Sequence, residues 1–141
     1  MKKVTYATEA TVLNLLGNTF SPLRCLQISI LLGSIAGVGE ELAFRQCLLG
    51  SIATILPIRT AAILSSSLFA LGHAITPLCA ILSFLASIYF CYVYHTSGLV
   101  AASVVHGVYD IVAIAVTHWQ VTRKGEEEKK FIRSMEWLKE E

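Results

Sequence analysis

Between Gln46 and Gln120 the chain carries only two residues of the Lys, Arg, Asp and Glu class, Arg59 and Asp110. Helices in water need a solvated polar face, and this stretch is too long and too uniformly apolar to supply one for every element it must contain. Hydrocarbon is the solvent it suits. The composition agrees, with 55% hydrophobic residues and a mean hydropathy of +0.64, above the roughly 45–50% apolar usage of soluble chains. In a bilayer every backbone polar group must be satisfied internally, so the expected fold is all-α, a polytopic transmembrane bundle of about four spanning helices.

Punctuation along the chain places those spans. The first apolar segment runs from about Cys25 to Leu56 and exceeds the roughly 20 residues of one upright crossing. Gly33, Gly37 and Gly39 predict a kink or break within it, and Pro57 marks its end. The second runs from Thr60 to about Ile75, with Ser65, Ser66, Ser67 and Ala70 small enough for close helix approach, and Pro77 follows. The third, Leu78 to about His95, carries Tyr89, Tyr92 and Tyr94 as interfacial anchors. Only Thr96, Ser97 and Gly98 separate it from the fourth, Leu99 to Trp119, so these two should form an antiparallel hairpin. Three regions result: a polar N-terminal segment (1–24), a transmembrane core (25–119) and a charged tail (120–141). In the tail, Glu126 with Lys130, and Glu128 with Ile132 and Met135, have the spacing of a short amphipathic helix, with Trp137 and Leu138 beyond it.

Charge and cysteine usage narrow the class further. Lys2, Lys3, Arg24, Arg123, Lys124, Lys129, Lys130 and Arg133 fall on one side of a four-span arrangement and only Arg59 on the other. An integral multi-pass protein with both termini in the cytoplasm is therefore expected. The net charge of +1 comes without a basic stripe interleaved with aromatics, which excludes nucleic acid as a partner. Cys25, Cys47, Cys79 and Cys91 show no C-x-x-C pairing and fall in apolar stretches, so a structural zinc cluster is not expected. His95 and His118 read as interfacial residues, and Gln46 reads equally well as packing or as support for a site.

Ionisable groups inside a span cost on the order of 2.5 kcal/mol or more each, which makes them functional candidates. Three clusters stand out. In Glu40-Glu41-Leu42-Ala43-Phe44-Arg45, Glu41 and Arg45 are four apart and can pair, leaving Glu40 as an unpaired carboxyl suited to general-base work. Phe69 precedes His73 by one turn and can cover its ring, with Gly72 opening space beside it. His106 and Asp110 share a helix face, with Gly107 opening space again; Asp110 could orient His106 or, if protonated, donate to a substrate oxygen. At about 1.5 Å per helical residue, Glu40 lies ~28 Å and His73 ~21 Å from Arg59, with Asp110 ~18 Å and His106 ~12 Å beyond Gly98. Glu40 is the outlier in that reckoning.

These three elements, in this order, resemble the CAAX-protease and bacteriocin-processing (Abi) family of membrane endopeptidases, which is similar to the type II CAAX prenyl endopeptidases. The family pattern is Glu-Glu-x-x-x-Arg, Phe-x-x-x-His and His-x-x-x-Asn or Asp on successive helices. Here it is met by Glu40, Glu41 and Arg45, by Phe69 and His73, and by His106 and Asp110. The resemblance implies an intramembrane endopeptidase in which Glu40 and His73 activate water and His106 and Asp110 stabilise the oxyanion, with Glu41, Arg45 and Phe69 supporting. It implies no obligatory cofactor, with zinc on Glu40, His73 and His106 as the alternative. Its implied partners are membrane lipid and a peptide or protein substrate, prenylated or not. Family members usually carry more helices, so self-association is one route to a larger bundle. Outside the enzyme class stand two competing readings, a non-catalytic membrane immunity or scaffold protein and a small ion or metal carrier.

Overall fold

The computed structural model describes residues 2–134, apart from the side chains of residues 2–5 and 7, and every regular element among them is helical. In chain order these are α1 (Lys2–Leu16), α2 (Pro22–Glu41), a π-helical segment (Leu42–Leu49), α3 (Gly50–Ala53), α4 (Ile58–Gly72), α5 (Pro77–Thr122) and α6 (Glu126–Ser134). Two stretches, Pro22–Ala53 and Pro77–Thr122, are long and apolar enough to cross a membrane. α4, with 15 residues, spans only about 22 Å, short of the roughly 30 Å of a hydrocarbon core. The chain divides into two compact units, one of residues 33–109 and one of the two terminal stretches, 1–32 and 110–141.

No break occurs at the glycines of the first apolar segment, contrary to the sequence reading. The helix runs through them and instead widens after Glu41 into the π-helical turns. Buried positions Gly33, Gly37, Glu41, Arg45 and Leu49 recur every four residues. An α-helix drifts by about 40° over each such step, and the wider π turn reverses that drift, which keeps Arg45 and Leu49 beneath Glu41. Within this segment the Phe44 carbonyl accepts a hydrogen bond from Ser65 Oγ at 2.9 Å. Gly37 and Gly107 serve close packing: a Cβ on Gly37 would stand 2.6 Å from the Ser103 carbonyl oxygen, and one on Gly107 would stand 2.9 Å from that of Gly33. Gly107 thus holds two helices together and opens no space for a substrate, whereas a Cβ on Gly72 would meet nothing within 4 Å.

α5 is interrupted where the sequence predicts a turn. Gly98 adopts φ 85° and ψ 177°, a conformation costly for any residue with a Cβ. Phe90 and His106, each eight residues from Gly98, stack with ring centroids 4.4 Å apart. On a straight helix sixteen residues would separate them by about 24 Å. The chain therefore doubles back at Gly98, as an antiparallel hairpin requires.

The packing of the central unit inverts that of a soluble protein. Glu41, Arg45, Ser65, Ser66 and Ser87 are fully buried, while Ile35, Leu71, Leu85 and Val100 are 58–77% exposed. Such a surface suits hydrocarbon, and polar groups in the interior are tolerable there because they satisfy one another.

In the terminal unit the N-terminal segment is mostly helical. It forms α1 and buries Ala10, Val12, Leu13 and Leu16 together with Cys25, Val121 and Ile132 of α6 and its neighbours. Leu13 and Leu16, three apart, are the apolar stripe hidden among its threonines. α6 carries Glu126, Glu127 and Glu128 in its first turn and Arg133 in its last, the order that suits a helix dipole. Of the tail helix suggested by spacing, Met135, Trp137 and Leu138 lie outside the described residues. His118 is fully buried here, with Nε2 3.3 Å from the Gly17 carbonyl oxygen, and is not the interfacial residue its position beside Trp119 suggested. Lys124 lies 2.9 Å from Glu9 and 3.1 Å from Glu128. Partial burial opposes its charge, but the hydrogen bonds it donates to these two carboxylates and their charges prevail and raise its pKa above 10.5.

Candidate active site

Glu40 ends α2 alongside Glu41, and the two carboxyls face different partners. Glu41 is fully buried and lies 3.1 Å from Arg45 Nε, the four-residue pairing that the sequence suggests. Its other oxygen, Oε1, accepts from His106 Nδ1 at 2.7 Å. A carboxylate paired with a guanidinium is acceptor-only, so His106 carries a proton on Nδ1, and when the ring is neutral its Nε2 presents a lone pair. The sequence reading gave Glu41 a purely architectural part. In the fold it fixes the tautomer and orientation of a histidine on another helix.

His73 caps α4 just beyond its last turn, with φ −106° and ψ 8°. Its Nδ1 donates to the Phe69 carbonyl at 2.8 Å, so its Nε2 also faces outward with a lone pair when the ring is neutral. Phe69 stacks on His73 at 4.4 Å, as the spacing predicts, and contacts His106 edge-on at 6.0 Å. Phe90 stacks on the other imidazole.

These restraints aim both Nε2 atoms at one carboxyl oxygen. Glu40 Oε2 lies 3.8 Å from His73 Nε2 and 3.7 Å from His106 Nε2. That oxygen is buried without a hydrogen-bond partner, although the Glu40 side chain as a whole is 33% exposed and that of His73 40% exposed. Glu40 is thus less enclosed than a fully desolvated carboxyl. It reaches the imidazoles despite its outlying depth because residues 54–57 form a turn and add no helical rise; counted from Ala53, Glu40 is only about 20 Å down. Asp110 follows His106 by one helical turn, as the first residue of the second terminal stretch.

Beneath this triad a polar chain fixes Arg45. Its Nη2 donates to Ser87 Oγ at 2.9 Å and to the Ser87 carbonyl at 3.2 Å, and Ser87 donates to Ser66 at 3.0 Å. Nη1 has no hydrogen-bond partner, but the guanidinium lies 4.9 Å from the Phe69 ring centroid and 5.4 Å from that of Phe90. Cation–π attraction replaces the missing bond. In the sequence Ser66 reads only as a small residue for close helix approach, and neither Ser87 nor Phe90 stands out. Phe90 had a usable signal, its equal distance with His106 from the Gly98 turn. Gln46 accepts from Tyr94 OH at 2.8 Å and takes no part in the triad, and His95 is exposed at the helix end.

Among the described residues no group of three His, Cys, Asp or Glu side chains forms a metal-holding set. Ligand atoms around tetrahedral zinc, with bonds of about 2.0–2.1 Å, stand about 3.4 Å apart. Both Glu40 to histidine separations are wider than that. The arrangement is a carboxylate flanked by two oriented imidazole lone pairs, able to hold a water and move its protons.

Residues 22–112 match the family model described as type II CAAX prenyl endopeptidase Rce1-like. The matched region contains every residue of the triad and of the Arg45 network. No curated protein and no solved structure matches the chain.

Proposed function

Because this chain belongs to the Rce1-like family of type II CAAX prenyl endopeptidases, a family of membrane proteases, we propose that it is an intramembrane endopeptidase of the glutamate type. The observation that carries the proposal is the convergence of Glu40 Oε2 with His73 Nε2 and His106 Nε2 at 3.8 and 3.7 Å. Gaps of this size are too long for direct hydrogen bonds and suit a bridging water.

In this mechanism Glu40 removes a proton from that water while His73 Nε2 accepts a second hydrogen bond and aligns it on the scissile carbonyl. Attack forms the C–O bond of a tetrahedral oxyanion. His106, oriented by the Glu41 contact to its Nδ1, stabilises it as a donor from Nε2 in the doubly protonated form of the ring. Asp110, if protonated, supplies the second donor. Glu40 then returns its proton to the leaving nitrogen as the C–N bond breaks.

The same proposal covers topology and substrate. Pro22–Ala53, the two halves of α5 and the shorter α4, whose mismatch local thinning of the bilayer takes up, make four passes, and the Lys and Arg bias puts both termini in the cytoplasm. The substrate is a membrane-associated peptide or protein, reached through the exposed side of Glu40 and His73, and prenylation is one option for its anchor.

A zinc-dependent version is the second reading, favoured by one observation: each Nδ1 is held by an acceptor, as second-shell groups hold zinc-bound histidines. Peptide cleavage in detergent with and without a chelator separates the two. Activity that survives chelation and is lost in His73→Ala supports the metal-free mechanism. Loss on chelation, restored by added zinc, overturns it.

A further inference from the structure

A second concave site lies in the central unit, lined by none of the triad. It is a cavity of about 530 Å³ whose walls include Leu49, Ala53, Ala62 and Ile88, with Arg59, Tyr92 and His95 also lining it. We propose that it holds one acyl chain of an anionic phospholipid from the surrounding bilayer, with the lipid phosphate paired to Arg59. The proposal rests on the membrane location of the chain and is independent of proteolysis.

Charge complementarity carries the assignment. Arg59 is the only Lys or Arg between Gln46 and Gln120, it is exposed at the start of α4, and among the described residues it forms no ion pair. A guanidinium at an apolar surface needs an anion, and its planar fork fits phosphate oxygens. Tyr92, 64% exposed and also lining the cavity, is a residue type that favours headgroup level, which puts the guanidinium where phosphates lie.

Size and wall chemistry select the rest of the ligand. At about 30 Å³ per water, the cavity takes on the order of eighteen water-sized groups, and a methylene is of similar size, so one acyl chain fills it. The walls are almost wholly carbon. A peptide would bring N–H and C=O groups that such walls leave unsatisfied, whereas hydrocarbon brings none. Cys91, also in the wall, has its Sγ 3.6 Å from Ser66 Oγ, at the end of the chain through Ser87 to Arg45.

The test is native mass spectrometry of the full chain in detergent, titrated separately with phosphatidylglycerol and phosphatidylcholine. The wild type should retain the anionic lipid roughly tenfold more strongly, the worth of one charge-assisted contact. Arg59→Gln should abolish that preference, and Ala62→Phe, which fills the cavity, should lower retention of both lipids. Equal retention of the two lipids by the wild type overturns the proposal, as does a preference that survives Arg59→Gln. Arg59 is exposed, so its variant carries the test even where Ala62→Phe fails to fold, which circular dichroism would report.

Discussion

Gly37→Ala is the substitution with the most calculable consequence. The added Cβ would stand 2.6 Å from the Ser103 carbonyl oxygen, 2.7 Å from the Gly107 nitrogen and 2.9 Å from its Cα, all backbone atoms. No side chain can rotate away, so one helix must retreat by about 0.8 Å to reach ordinary contact. Glu41 lies one turn beyond Gly37 and His106 adjoins Gly107, so the displacement falls on the 2.7 Å Glu41 to His106 bond. Lengthened to about 3.5 Å, it is at the limit of a hydrogen bond. Overpacking should cost about 1–3 kcal/mol of stability, and misplacement of His106 should lower the cleavage rate roughly a hundredfold. Thermal unfolding in detergent and peptide cleavage measure the two effects. Gly39→Ala is the control, because its Cβ would meet nothing within 4 Å, and it should be stable and active. If Gly37→Ala behaves like Gly39→Ala, the close crossing of these helices and its control of His106 are wrong.

Three further outcomes follow from the same geometry. Arg45→Ala strips Glu41 of its buried counter-charge and should cost about 3–5 kcal/mol in thermal unfolding, more than Ser87→Ala, which removes one hydroxyl partner and should cost about 1–3 kcal/mol. If Ser87→Ala is the more damaging, the ion pair is not what organises this interior. The contribution of Lys124 to stability should be complete below pH 10.5 and be lost as pH rises through its raised folded-state value, since deprotonation releases Glu9 and Glu128. A melting temperature compared between wild type and Lys124→Met should show a difference that narrows above about pH 10.5, and a difference that widens would refute that linkage.

Much of this arrangement is legible in the sequence because membrane burial removes alternatives. A carboxyl, two histidines and an arginine in apolar helices have few partners, so the Glu41 to Arg45 pairing and the Phe69 to His73 stack follow from helical spacing alone. The Gly98 turn is equally readable. Contacts between helices are less so: nothing in the spacing of Glu41 announces His106, sixty-five residues away. Nor does helical periodicity anticipate a π-helical segment, which depends on where interior partners such as Ser65 and Ser87 lie. The glycines misled in a physically instructive way. Gly33, Gly37 and Gly107 are small because two backbones cross there, and a lone sequence cannot distinguish that use from a hinge. In the N-terminal segment, threonines masked the short stripe of Leu13 and Leu16 that buries α1.

The central claim is that Glu40 is the general base of a peptide-bond hydrolysis. Cleavage of a membrane-anchored peptide by wild type and Glu40→Gln, matched for helical content and melting temperature, measures it most directly. Intact folding is expected, with a rate lowered roughly a hundredfold to ten-thousandfold, the usual worth of a positioned general base. Cleavage by Glu40→Gln at the wild-type rate would contradict it.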